Sequence, residues 1–301
     1  MLRSVKKKIN MKIKILCIGC FHGKIPKNLK HFVKKNKIDL ILAHGDFPDF
    51  TIFRDIQFKY WNELHAGMSF EDFLGKKKLE RMEKFGINQG KKILRFLNSL
   101  GIPVIITHGN HDITDKYPWQ SRRHIKRGDP FTEISKDSLE STIKNLKNIT
   151  LIDYSSRKFR NFFIYGVGCK VLTPQEPEDP LTYLYWKKLR KRELKKLQEF
   201  FTKERSKTTI VLTHDPPYGT KLDKITWRKS PRYGDHLGTD QIKNFVRKYQ
   251  PLLWICGNIH EGRGIMKIGK TFVMNTGYAR IGQAGYAELE NGKIRVKLIK
   301  L

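Results

Sequence analysis

Asp39-Leu40-Ile41-Leu42-Ala43-His44-Gly45-Asp46-Phe47-Pro48-Asp49 is a short apolar run that breaks into a cluster of polar and turn-forming residues. Four further runs end in the same way. Ile13–Gly19 leads into Cys20-Phe21-His22, Pro103–Thr107 into His108-Gly109-Asn110-His111-Asp112, Thr209–Thr213 into His214-Asp215, and Leu252–Cys256 into Gly257-Asn258-Ile259-His260. Such runs read as buried strands. In an open α/β sheet, ligand groups gather in the crevice at the carboxyl ends of the strands. Five strands therefore deliver His, Asp and Asn to one edge, which packing alone does not explain.

Between and after these runs the pattern is helical, then extended. Pro26–Asn36 predicts a short helix with Leu29, Phe32 and Val33 on one face. Lys76–Leu100 predicts a long amphipathic helix whose Gly86 and Gly90 permit close approach to the sheet. Asp46–Gly75 is crowded with aromatic residues, read as a packing layer with a hydrophobic lid as the alternative. Residues 113–150 form a polar, basic connection, Phe162–Gly168 a strand, and Leu184–Lys203 a basic helix. Thr271–Met274, Gly285–Glu290 and Lys293–Leu301 read as a closing meander, with Asn291-Gly292 as a hairpin turn. One mixed α/β domain over residues 1–301 is expected, with residues 1–11 a frayed basic tail.

Of the 301 residues, 39% are apolar, enough for a large core. No apolar stretch approaches the roughly 20 residues that span a bilayer, and no signal-peptide pattern follows the basic start, so a cytoplasmic location is expected. Four cysteines are too few for a disulfide framework. Cys17 and Cys20 have CxxC spacing but point to opposite faces of a strand, which disfavours a redox pair. Lys plus Arg number 60 against 29 Asp plus Glu, a formal charge of +31. That field attracts polyanions, so a nucleotide or nucleic acid is a candidate partner, with Lys187, Lys188, Lys191 and Lys195 as phosphate contacts. Oligomeric state is not readable.

Two divalent metals about 3.5–4 Å apart can clamp a phosphate and activate water. The pair needs a bridging carboxylate, imidazole nitrogens and weaker oxygen ligands. His22, Asp46, Asn110, His214 and His260 supply that mixture. No G-x-S-x-G nucleophile turn and no phosphate-binding GxxxxGK[ST] loop is present. The order CxH, GDxxD, GNHD, H, GNxH resembles the calcineurin-like metallophosphoesterases, from about residue 13 to 278, and within them a small prokaryotic branch of predicted phosphoesterases. The resemblance implies a four-layer α/β/β/α sandwich with two mixed sheets.

It also implies roles. His22 and His260 would ligate a first metal, Asp46 would bridge, and Asn110 and His214 would ligate a second. The metals would be two divalent ions drawn from Mn, Fe, Zn or Ni. His111 would be the general acid, oriented by Asp112, and Asp49 would support its loop. The reaction implied is phosphodiester hydrolysis by metal-activated water. Two positions depart from the family pattern. Cys20 stands where the family has Asp, either as a softer thiolate ligand or as a spectator. Asn258 stands where the family has His and offers only a neutral oxygen. These departures keep a second reading open, a weakened or inactive scaffold that binds nucleic acid or a protein partner. His236, in a glycine-flanked loop, is a candidate contact for substrate phosphate. His44 and His108 read as structural, Tyr218 as packing, and Glu261 as a neighbour of the ligands.

Overall fold

Along the first strand, β1 (Ile13–Ile18), side chains alternate between two cores. Ile13, Ile15 and Cys17 enter one hydrophobic cluster, and Leu16 and Ile18 another. This is the period-two signature of a strand buried on both faces. A computed structural model describes residues 12–112, 138–168, 180–204 and 208–301. The remaining stretches of the sequence reading, the basic tail and most of the 113–150 connection, lie outside the described residues.

Two six-stranded sheets face each other. The first has the order β12-β11-β1-β2-β3-β4, where β2 is Leu40–Ala43, β3 Val104–Ile106, β4 Ile149–Leu151, β11 Gln283–Glu290 and β12 Lys293–Lys300. The second has the order β5-β6-β7-β8-β10-β9, where β5 is Ser155–Phe159, β6 Phe162–Val167, β7 Thr209–Thr213, β8 Leu253–Cys256, β9 Gly264–Ile268 and β10 Thr271–Asn275. Both are mixed. Strands β1 to β4 run parallel, as do β6, β7, β8 and β10, while β11, β12, β5 and β9 are antiparallel. Ile15, Leu40, Leu42, Ile210, Leu212 and Ile255 fill the space between the sheets.

Helices cover the outer faces. The aromatic stretch 46–75 folds into α2 (Thr51–Lys59), α3 (Trp61–His65) and α4 (Phe70–Leu74). Against the first sheet lie α1 (Leu29–Asn36), α5 (Lys76–Ser99) and the short α6 (Leu139–Ile143), through Leu29, Val33, Ile93, Leu97 and Leu139. Against the second lie α7 (Pro180–Lys203) and α8 (Asp240–Tyr249), through Trp186, Leu197, Ile242 and Val246. The expected four-layer sandwich is present. Within the described residues helix α7 already runs from Pro180, earlier than the sequence pattern indicated. No helix among the described residues is long and apolar enough to cross a membrane.

Two expectations need correction. The last strands are not one meander. Strand β10 pairs in parallel with β8 in the second sheet, whereas the β11–β12 hairpin returns to pair β11 with β1. The glycines of α5 do not approach the sheet either. A Cβ on Gly86 would lie 2.6 Å from the Asp49 carbonyl oxygen, and one on Gly90 3.0 Å from the Pro48 nitrogen. The helix therefore clamps the loop after β2, and Asp49 N–H donates to the Gly86 carbonyl at 3.2 Å. Phe50 and Phe53 pack with Leu79 and Ile87 of α5, as a packing layer should, but Phe50 and Phe58 also face the cavity described below.

Glu83 sits on the buried stripe of α5, fully buried, with no hydrogen-bond partner for either carboxylate oxygen. Burial, with Glu80 adding to it, pushes its carboxyl from the ordinary 4.5 up to about 8. Between these values the unfolded chain gives up a proton that the folded chain keeps. Stability attributable to this group therefore falls as pH rises through that window. Glu83→Met should raise the melting temperature at pH 8.5 and lose most of that advantage at pH 4.5, measured by thermal denaturation across the range.

Candidate metal centre

The five motifs meet where the two sheets come together. Strands β1, β2 and β3 of the first sheet bring Cys20, His22, Asp46, Asn110 and His111, and β7 and β8 of the second bring His214, Asn258 and His260. The loops are tightly wound. Cys20, His22, Asp46 and Asn258 all have positive φ, from 41° to 62°, a region that costs non-glycine residues energy and that clusters at functional sites. Gly45 and Gly109 let the loops after β2 and β3 touch. A Cβ on Gly45 would lie 2.0 Å from the Gly109 nitrogen, and one on Gly109 2.3 Å from Asp46 Oδ1.

Asp46 is the centre of the arrangement. Its Oδ1 accepts the His111 backbone N–H at 2.9 Å. Its Oδ2 lies 3.3 Å from His22 Nε2 and 3.3 Å from His214 Nε2. His214 Nδ1 donates to the His44 carbonyl at 2.6 Å, and a carbonyl can only accept. A neutral His214 therefore turns a lone pair toward Asp46, and its Nε2 is also 2.9 Å from Asn110 Oδ1. Three electron-rich atoms facing one another call for a cation between them. A proton can take that place: burial opposes it, but the Asp46 charge and hydrogen bond outweigh burial and raise the His214 pKa to about 9. The Asp46 carboxyl is correspondingly held well below its usual range, where His214 and His111 overcome burial.

On the other side, His22 is buried with neither ring nitrogen hydrogen-bonded, and burial lowers its pKa well below the ordinary value. His260 is lowered to about 3 by burial, despite the opposing charge of Asp46. Both imidazoles are thus neutral, with lone pairs to give. Ligand atoms of Cys20, His22 and His260 fall within 4.8 Å of one another, and so do those of Cys20, His44 and His214, and of His22, Asp46 and His111. This donor set of imidazole, carboxylate and thiol fits divalent transition metals.

The other expected residues fall in different places. Asp112, expected to orient the His111 ring, instead accepts the backbone N–H groups of Asp46 at 2.7 Å, Phe47 at 2.9 Å and Gly109 at 2.7 Å. It is fully buried, and burial with the facing Asp46 charge pushes its carboxyl up to about 6. His236, expected near substrate phosphate, is held by the buried Asp223 at 2.8 Å and does not line the cavity. Asn258 lines the cavity while its side-chain N–H donates to Asp215 at 2.7 Å. Asp49 accepts from Thr51 Oγ1 at 2.7 Å and Arg280 at 3.0 Å, as a loop support. His44 fills the space over Gly19 and Gly257, its Nε2 2.7 Å from Thr276 Oγ1, and His108 pairs with Asp153 at 2.6 Å. Cys17 lies in the core between the sheets, and Cys17, Cys20 and Cys256 are free thiols.

Tyr278 and Arg280 were missed. Tyr278 stacks on His260 with ring centroids 4.0 Å apart and meets His22 edge-on at 5.4 Å. Arg280 donates to the His22 carbonyl as well as to Asp49. Both follow β10, a sixth apolar run ending in polar residues, Asn275-Thr276-Gly277-Tyr278, which the same strand-end rule would have found.

A model of calcineurin-like phosphoesterases matches residues 13–262. The chain belongs to that family. Among its relatives, the human metallophosphoesterase domain-containing protein 1 is 28% identical over 190 residues, 62% of this chain and 53% of that protein. An uncharacterized protein of Methanocaldococcus jannaschii is 29% identical over 131 residues, 41% of this chain and 52% of its own. The chain thus spans about half the length of the curated relatives it matches. One solved crystal structure, 20% identical, covers 96% of this chain and 99% of its own at a TM-score of 0.63. TT1561 of Thermus thermophilus, 13% identical, covers 95% and 99% at 0.50. At these identities the likeness is one of fold.

Asp112→Ala should leave three buried backbone donors without an acceptor, at about 1–3 kcal/mol each. A fall in unfolding free energy of several kcal/mol is expected by denaturant titration. A loss below about 1 kcal/mol would remove the clamp from the account of this site.

Proposed function

We propose that this chain is a metal-dependent phosphoesterase that hydrolyses phosphodiesters. The observation that carries the reading is Asp46 Oδ2, placed 3.3 Å from two buried imidazole nitrogens at once. His22, His260 and Asp46 would hold one divalent ion, and Asp46, Asn110 and His214 a second. Cys20 is within reach of the first set. Its thiol is raised well above the ordinary value by burial and then by Asp46, so it becomes a ligand only when a metal displaces its proton. Asn258 has its carbonyl oxygen left for the metal, because its amino group is taken by Asp215.

Bound there, the two ions supply positive charge on phosphate and a lowered pKa for water. The chain's own groups do the rest. Asp46 and the imidazoles hold the donor atoms on short loops with positive φ at Cys20, His22, Asp46 and Asn258. His111, whose backbone is pinned to Asp46 and whose side chain faces the cavity, gives a proton to the leaving oxygen. Phe50 and Ile259 keep the walls apolar. Arg54 is the one Lys or Arg among the described residues that line the cavity. Its charge would add to that of the two ions in drawing a phosphate-ester anion into the cavity.

The test is metal content of the purified protein together with hydrolysis of bis-p-nitrophenyl phosphate in Mn, Fe, Zn and Ni. Asp46→Asn should lower metal content at both sites and remove most turnover, and full metal content in that variant would sink the bridging role. His111→Ala should keep its metal and slow hydrolysis by about 10²–10⁴-fold. Loss of metal in that variant would make His111 a ligand.

A further inference from the structure

The cavity over Asp46 measures about 150 Å³ and is lined on its floor by His22, His111 and His260. Drug-sized ligands occupy roughly 300–1,000 Å³, so this space suits a phosphoryl group, and the organic part of a substrate must lie at the mouth. The mouth is built by two segments outside the ligand motifs. Helix α2 contributes Arg54 and Phe58, and the loop after β7 contributes Trp227. Phe58 and Trp227 lie 5.5 Å apart with their planes at 39°. The Arg54 guanidinium stands 5.9 Å from the Trp227 ring.

Three features separate this wall from ordinary packing. Trp227 is 43% exposed, a large indole left open beside a reactive cavity. Arg54 Nε is buried with no hydrogen-bond partner, a donor that an anion in the cavity would satisfy. The loop that carries Trp227 is also fixed at its base. Asp223 accepts the N–H groups of Gly219, Thr220 and Gly238 and holds His236, while Ile225 N–H donates to the Asp235 carbonyl. A fixed aromatic platform with a cation over its ring takes flat π-faces.

We propose that Arg54, Phe58 and Trp227 form a subsite for the non-leaving alcohol of the substrate. A flat aromatic ring such as a nucleobase stacks on Trp227, and Arg54 pairs with the phosphate it carries. The inference rests on the phosphoesterase reading and assigns that reading a substrate class. It places specificity on α2 and the β7–α8 loop, not on the metal-binding motifs.

Two diesters with one leaving group test it. Thymidine 5′-(p-nitrophenyl phosphate) and methyl p-nitrophenyl phosphate differ only in the non-leaving alcohol. The metal-loaded wild type should favour the thymidine ester in kcat/KM by about tenfold or more. Trp227→Ala should collapse that ratio toward unity, and Trp227→Phe should restore part of it. Equal efficiency on both esters in the wild type, or an unchanged ratio in Trp227→Ala, overturns the subsite while leaving the phosphoesterase reading intact. If neither ester is turned over with any of the four metals, the phosphoesterase reading fails, and calorimetric binding decides the subsite separately. AMP should then bind more tightly than ribose 5-phosphate in the wild type and equally in Trp227→Ala, and equal binding in the wild type overturns it. Benzyl phosphate matching AMP marks a general aromatic subsite, and AMP binding more tightly marks one for bases. Arg54→Gln should weaken AMP and ribose 5-phosphate alike, and unchanged binding of both removes Arg54 from the subsite.

Discussion

The Asp112 carboxylate holds the centre together. Fully buried, it takes three backbone N–H groups from two loops, at Asp46 and Phe47 after β2 and at Gly109 after β3. Adjacent parallel strands end side by side, and their loops would otherwise splay toward solvent. A buried acceptor with three charge-assisted hydrogen bonds sets the distance between them. Gly45 and Gly109 make that distance possible, because any Cβ there would strike the opposite loop. Once the loops touch, the His111 N–H reaches Asp46 and fixes the rotation of the carboxylate that faces His22 and His214. Helix α5 adds a clamp from outside through Gly86 and Gly90.

From that constraint follows an electrostatic imbalance. His22 and His260 are buried and neutral, His214 is drawn toward a cation by Asp46, and Asp46 is forced into its charged form. Positive backbone angles at Cys20, His22, Asp46 and Asn258 add strain at the same points. A fold optimised for stability alone would not gather these costs into one spot. They are offset when a ligand binds the assembled donors and not the unfolded chain. The Cys20 and Asn258 departures sit inside this arrangement, one in ligand reach and one at the cavity wall.

The strands that carry chemistry were readable from the chain because each is a buried apolar run with an abrupt polar end. Structure and reading agree within a residue or so for β1, β2, β3, β7 and β8. The elements that escaped are of a different kind. Strand β5, Ser155–Phe159, is an edge strand with mostly exposed side chains and no apolar run to betray it. Strand β9 is an edge strand too, defined by its pairing with β10. Helix α8 is legible in the chain, since Ile242, Phe245 and Val246 fall at helical spacing.

By itself the sequence determined the alternation of buried strands and helices, the five clusters at their ends and the family those clusters belong to. These are local properties, set by hydrophobic period and turn chemistry within a few residues. Which sheet each strand joins was decided only by tertiary structure, because pairing depends on partners far along the chain. So β10 lies beside β8, while β11 crosses to β1. The same holds for side-chain duties. Asp112 went to backbone donors and His236 to Asp223, while Arg54 and Trp227, 173 residues apart in the chain, came together at one cavity mouth. A side chain's partner is chosen by which loops the packed sheets bring within hydrogen-bond range, and no spacing in the sequence records that distance.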